Sequence, residues 1–185
     1  MELINNTTKT LKDDLSVEIK KGSKLSIAAA CFSIYAFQEL KKQLSSIDEL
    51  RFIFTSPTFV AEKTKKEKRE FYIPRLNRER SLYGTEFEIK LRNEMTQKAI
   101  AKECAQWIRE KVIFKSNVSD KSIQGQLVVD GIGYTPINSF TTVELGCEKG
   151  NVISTTIVKD ESLAQTLIRD FDEIWNDTKV LQEVT

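Results

Sequence analysis

Residues 24–44, KLSIAAACFSIYAFQELKKQL, followed at 50–55 by LRFIFT, decide the reading of this chain. The first ten residues form an apolar run bounded by Gly22-Ser23 and a polar turn, the pattern of a buried strand. Ile34, Phe37, Leu40 and Leu44 then recur at helical spacing, so 34–44 is expected as one amphipathic helix. LRFIFT alternates as a second strand. A strand, a helix and a strand in that order predict parallel pairing.

Working outward, residues 10–21 read as a short amphipathic helix stopped by Gly22. Leu91, Met95, Ile100, Cys104, Trp107 and Ile108 predict a long helix over 88–111, with a strand at 112–115 directly behind it. Strands are expected at 122–129, 140–145 and 152–158, with turns at Asp130-Gly131 and at 148–151. Phe71-Tyr72-Ile73 allows a further short strand. Leu163, Leu167, Phe171 and Trp175, spaced by four, close the chain as a helix over 160–175. The expected fold class is therefore α/β: a mixed, partly parallel sheet of about six or seven strands flanked by helices.

The chain of 185 residues contains no histidine. Histidine is the one side chain that titrates near neutrality unperturbed, and the usual general base and metal ligand. Its absence excludes Ser-His-Asp and Cys-His catalysis, His-ligated zinc and a phosphohistidine intermediate. One domain fits this length. The three cysteines, Cys31, Cys104 and Cys147, lie far apart without metal-ligand spacing, which predicts reduced thiols and a cytoplasmic location. The apolar run 25–35 is too short to span a bilayer, and the start MELINN has no secretory pattern, so no membrane partner is expected.

Net charge is +1, but it is unevenly placed. Residues 61–80 hold eight cations, Lys63, Lys65, Lys66, Lys68, Arg69, Arg75, Arg78 and Arg80, against four glutamates. Two readings stand: a phosphate-contacting segment with Phe71 or Tyr72 as a stacking face, and a solvated loop half neutralised by Glu62, Glu67, Glu70 and Glu79. Glu86, Glu88 and Glu94 could form a carboxylate metal set or simply a solvated acidic face; the latter is the reading adopted, with no metal site. Trp107 and Trp175 fit helix core faces.

The order of elements and several phrases resemble the phospholipase D-like fold. The phrase at 24–44, the strand at 50–59, Phe140-Thr141, Glu144-Leu145 and the closing FDEIW at 171–175 sit where that family has equivalents. The resemblance covers the chain as a single domain, 1–185, with a basic insertion at 60–85. It implies a histidine at Gln124, a lysine at Gln126, and a Gly-Ser-x-Asn phrase where Pro136-Ile137-Asn138-Ser139 stands. A glutamine amide neither attacks phosphorus nor carries charge, so no catalytic residue is expected. Gln124, Gln126, Asn138 and Ser139 are then vestigial motif positions, either a polar anion pocket or ordinary strand residues.

SIYAFQELKKQL, ELRFIFTSPTF, the run from Gly84 to Lys111 and SFTTVELG further resemble the amino-terminal domain of bacterial Snf-type superfamily II helicases. That resemblance implies an inactive accessory domain of a DNA helicase or translocase, contributing DNA contact, self-association or partner recruitment. It implies a fragment of a longer chain whose helicase core lies beyond residue 185, and a homodimer. No phosphate-binding G-x-x-x-x-G-K-[ST] occurs, so ATP and Mg are expected only in that core and no cofactor here. The alternatives are a nuclease or phosphodiesterase with an active site of another kind, and a pure dimerisation module.

Overall fold

The computed structural model describes residues 1–55, 94–147 and 156–184. The elements in chain order are β1 (Glu2–Ile4), α1 (Leu11–Glu18), β2 (Lys24–Ala29), α2 (Ile34–Glu39), α3 (Lys41–Leu44), β3 (Glu49–Phe54), α4 (Glu94–Lys111), β4 (Val112–Asn117), β5 (Gln126–Val129), β6 (Ile132–Thr135), β7 (Ile157–Asp160), α5 (Glu161–Trp175) and β8 (Leu181–Glu183). One eight-stranded sheet has the order β1-β7-β6-β5-β2-β3-β4-β8. β2, β3 and β4 are parallel, and every other pairing is antiparallel. The fold is thus α/β with an open mixed sheet, parallel where helices intervene, with eight strands rather than six or seven.

Local signals explain most boundaries. Thr10 caps α1, its side chain accepting from Asp13 N. Ser33 ends the β2 phrase and caps α2, its Oγ accepting from Tyr35 N and Ala36 N. Asp160 caps α5 by accepting from Ser162 N. The helix expected over 34–44 is broken instead at Leu40, whose backbone takes φ −115° and ψ 14°. The break leaves both Leu40 and Leu44 fully buried.

The strand expected at 140–145 does not form. Phe140 makes a single parallel bridge to Phe32. Leu145 N then donates to Thr141 O and Gly146 N to Val143 O, which winds 141–146 into turns. The third antiparallel strand is Ile132–Thr135, reached from β5 through Asp130, which adopts φ 50°. Asp130 earns that conformation by accepting from Ser23 Oγ at 2.7 Å and Lys24 N at 2.9 Å.

Side-chain alternation along the strands separates two packed faces. On one, Ile27, Phe52, Phe114, Leu127 and Tyr134 meet the apolar faces of α1 to α4. Phe32 is the hub: its ring lies 5.4 Å from Phe114 and Phe140, 5.6 Å from Phe52 and 6.3 Å from Trp107. On the other face Ala28 and Ile53 meet Phe171 of α5, Val180 and Leu181. At the β7 side, Tyr134 Oη donates to Asp14 at 2.6 Å and Lys159 Nζ lies 3.1 Å from the same carboxylate. Burial opposes ionisation of Asp14, but the Tyr134 hydroxyl and the lysines outweigh it and hold its carboxyl below the ordinary value.

Candidate functional site at the strand-end edge

Parallel register brings the carboxyl ends of β2, β3 and β4 to one edge, with Ala29 opposite Phe54 and Phe54 opposite Ser116. β5 runs the other way, so Gln126, paired with Ala28, starts at that edge. β6 returns to it at Thr135. In open α/β sheets the crevice beyond the strand carboxyl ends is where ligands bind. All four vestigial positions gather along it.

A second layer of backbone seals this edge. After a cis Thr135–Pro136 bond, Ile137 N donates to Gly125 O at 3.1 Å. The approach is so close that a Cβ on Gly125 would stand 1.6 Å from Ile137 O, so only glycine fits there. Ala30 N donates to Asn138 O at 2.8 Å, Phe140 N to Cys31 O at 2.9 Å and Ser33 N to Phe140 O at 2.9 Å. The segment 137–140 is thereby laced to the chain leaving β2.

Glu144 anchors the lacing from below. It is buried, and its Oε1 accepts from Asn138 N at 2.9 Å. Its own N–H donates to Thr141 Oγ1 at 3.2 Å, and its carbonyl accepts from Asn6 Nδ2 at 2.8 Å. Burial pushes the Glu144 carboxyl above its ordinary value, only partly offset by the Asn138 N–H. Asn117, fully buried at the end of β4, anchors the neighbouring segment. Its Nδ2 donates to Thr55 O at 3.0 Å and Lys121 O at 2.8 Å, and its Oδ1 accepts from Ser119 N and Oγ. Both anchors escaped the sequence reading. The one local signal was a polar side chain ending an apolar run, at Asn117 after VIFKS and at Glu144 inside FTTVELG.

The vestigial positions share the edge but not one task. Gln124 is exposed. Gln126 is half-buried, and its Nε2 donates to Leu167 O of α5 at 3.1 Å, which makes it a tether between sheet and helix. Asn138 contributes backbone to the lacing while its residue stays exposed. Ser139 Oγ lies 2.9 Å from Thr141 Oγ1. Lys121 is the one cation among described residues 116–147, and it is exposed. Arranged this way, the edge offers amides and hydroxyls but little charge with which to hold a phosphate.

The eight cations from Lys63 to Arg80 lie outside the described residues, as do Phe71-Tyr72-Ile73, Glu86, Glu88, the first residues expected for α4, the turn at 148–151 and 152–155 of the expected strand. The side chain of Glu94 also lies outside them. The chain enters the basic stretch from Thr55, at the edge just described. Among the described residues, no group of three or more His, Cys, Asp or Glu is placed to hold a metal. No helix among them is long and apolar enough to cross a membrane.

No protein-family model and no curated protein matches the chain. Among solved structures it is similar to TrmBL2, an archaeal chromatin protein whose structure is described as showing a novel mode of DNA binding. The identity is 11% and the TM-score 0.42, over 99% of this chain and 52% of that one. The chain thus spans about half the length of that protein.

Proposed function

We propose that this domain is a catalytically inactive phospholipase D-like module that serves a DNA helicase or translocase as an accessory, contacting DNA through residues 63–80. The observation that carries the reading is the state of Gln126. Where the family resemblance implies a phosphate-holding lysine, an uncharged amide is spent on Leu167 O of α5. Gln124, at the implied nucleophile position, cannot attack phosphorus. No histidine elsewhere in the chain can replace it. What the strand-end edge lacks in charge, the stretch that leaves it at Thr55 carries in excess, eight cations against four glutamates. The domain meets a second copy of itself, and the helicase core with its ATP and Mg belongs to the rest of a longer cytoplasmic chain.

Incubation of the purified 185-residue chain with a chromogenic phosphodiester and with nicked plasmid tests the first half of this reading. No turnover above buffer is expected, and hydrolysis that co-purifies with the domain would overturn it. Titration with single- and double-stranded DNA across a salt series tests the second half. Affinity is expected to fall steeply with salt, because phosphate contacts release counterions. Absence of binding at low salt would contradict the DNA contact.

A further inference from the structure

A second concave surface lies at the opposite edge of the sheet. α3 ends at Leu44 just before β3 begins, and α4 ends at Lys111 just before β4 begins, so both helix ends sit over the amino ends of the parallel strands. Between them opens a groove of about 430 Å³. Its floor is apolar: the rings of Phe37 and Trp107, 4.8 Å apart. Trp107 is fixed there because its indole N–H donates to Leu44 O at 2.8 Å. That bond is the only polar demand the ring makes, and it is met from within.

The rim is mixed in sign, but its charges are not evenly satisfied. Lys41 pairs with Glu103. Gln106 bridges the other acid, donating to Glu110 at 2.7 Å while accepting from Arg109 at 3.0 Å. Lys102 and Lys111 make no ion pair with any described residue. Four cations line the groove against two acids, and both acids already have partners. The unmet demand is therefore for anions beside an apolar cleft.

The geometry points to this groove as a docking site for an acidic, amphipathic helical segment of a partner protein. An apolar anchor would enter over Phe37 and Trp107, with carboxylates beside Lys102 and Lys111. A third helix laid between two packed helices buries its apolar stripe in the groove they form. Nucleic acid suits the surface less well. Phe37 and Trp107 are buried and lie against each other, so neither presents a face for a base to stack on. Phosphates alone would leave the apolar floor in water. The inference goes beyond the DNA reading and is separable from it, since the basic stretch departs from Thr55 at the other edge.

The test uses the whole chain and a synthetic helical peptide with apolar residues spaced three and four apart, flanked by glutamates. A second peptide carries lysine at every glutamate. Calorimetric titration is expected to show saturable binding of the acidic peptide, at least about tenfold tighter than the lysine version. Lys102→Glu with Lys111→Glu, both outside the core, should weaken the acidic peptide about tenfold and leave DNA affinity unchanged. In a Trp175→Phe background, the peptide should perturb the emission of Trp107. No saturable binding below about 1 mM would overturn the proposal. So would binding indifferent to the charge reversal. A double variant that loses DNA affinity and salt dependence instead would reassign the groove to nucleic acid. DNA binding that fails while peptide binding holds would sink only the reading in the preceding subsection.

Discussion

Against α1 to α4 the sheet buries aliphatic and aromatic side chains almost without interruption, whereas against α5 it buries few and carries polar and cationic residues instead. On the α5 side Arg51 donates to Ser26 Oγ at 3.0 Å and pairs with Asp172 at 2.7 Å. Its guanidinium lies 4.8 Å from the Phe171 ring centre and 5.6 Å from that of Trp175. Lys115 Nζ stands 4.3 Å over Trp175 and donates to Trp175 O at 3.0 Å. Gln126 is a further polar tie on this face. The contrast teaches where the fold can change its chemistry. One face is fixed by packing and tolerates little, while the other is held by individually modest polar and cation–π contacts. The implied lysine position falls on the second face, so its replacement by glutamine could become a tie to α5 without disturbing the aromatic core.

The comparison can be broken by removing one contact from each face. Phe32→Ala takes the hub from the packed face and should cost about 3–5 kcal/mol, the range for a phenylalanine truncated in a core. Arg51→Ala on the α5 face should cost less, about 1–2 kcal/mol, because its carboxylate partner is half exposed and its ring contacts are partly solvated. Urea unfolding of the two variants measures both. Equal losses would erase the distinction between the faces. Gln126→Ala sharpens it further: loss of the bond to α5 should cost about 1 kcal/mol. Gln124→Ala, two residues away and exposed, should stay within about 0.5 kcal/mol of the parent. If Gln124 proves the costlier of the two, the tether account is wrong.

Glu144→Gln tests the anchor of the strand-end edge. Burial raises the Glu144 carboxyl, so the folded chain holds this proton to higher pH than the unfolded chain does. Its contribution to stability is therefore fully present below the unfolded carboxylate value and is lost as pH rises through the folded one. Glutamine keeps an acceptor for Asn138 N and has no proton to lose. The variant should gain on the parent as pH rises through that window, read from denaturation midpoints across a pH series. Parallel curves would contradict a buried, ionising Glu144.

Much of the architecture was legible because it rests on long local patterns. The β2–α2 phrase, the α4 stripe running straight into β4, and the spacing of Leu163, Leu167, Phe171 and Trp175 each repeat over several turns or residues. β1 and β8 were not legible, since three residues each are too few to show a period. Ile132–Thr135 was hidden by Gly133, whereas the threonines of FTTVEL mimicked a strand. Tertiary bonding decided both cases: β6 pairs on both sides, while Thr141 Oγ1 and Glu144 close a turn upon themselves. For the site, the positions along the edge could be placed from their order in the chain. Their partners could not, because Leu167 O and Asn138 N are brought near only by the fold.

The central claim is that phosphate contact has moved from the strand-end motif to the basic stretch. It is tested most directly by DNA affinity against salt for the parent chain and for a variant with Lys65, Lys66, Lys68 and Arg69 replaced by alanine. On duplex DNA each phosphate neutralised adds about −0.9 to the slope of log affinity against log salt. The variant should lose several such contacts, flattening the slope and weakening all sequences alike, since phosphate contacts carry no sequence information. A variant that binds as tightly as the parent with the same slope would place the contact surface elsewhere and contradict the account.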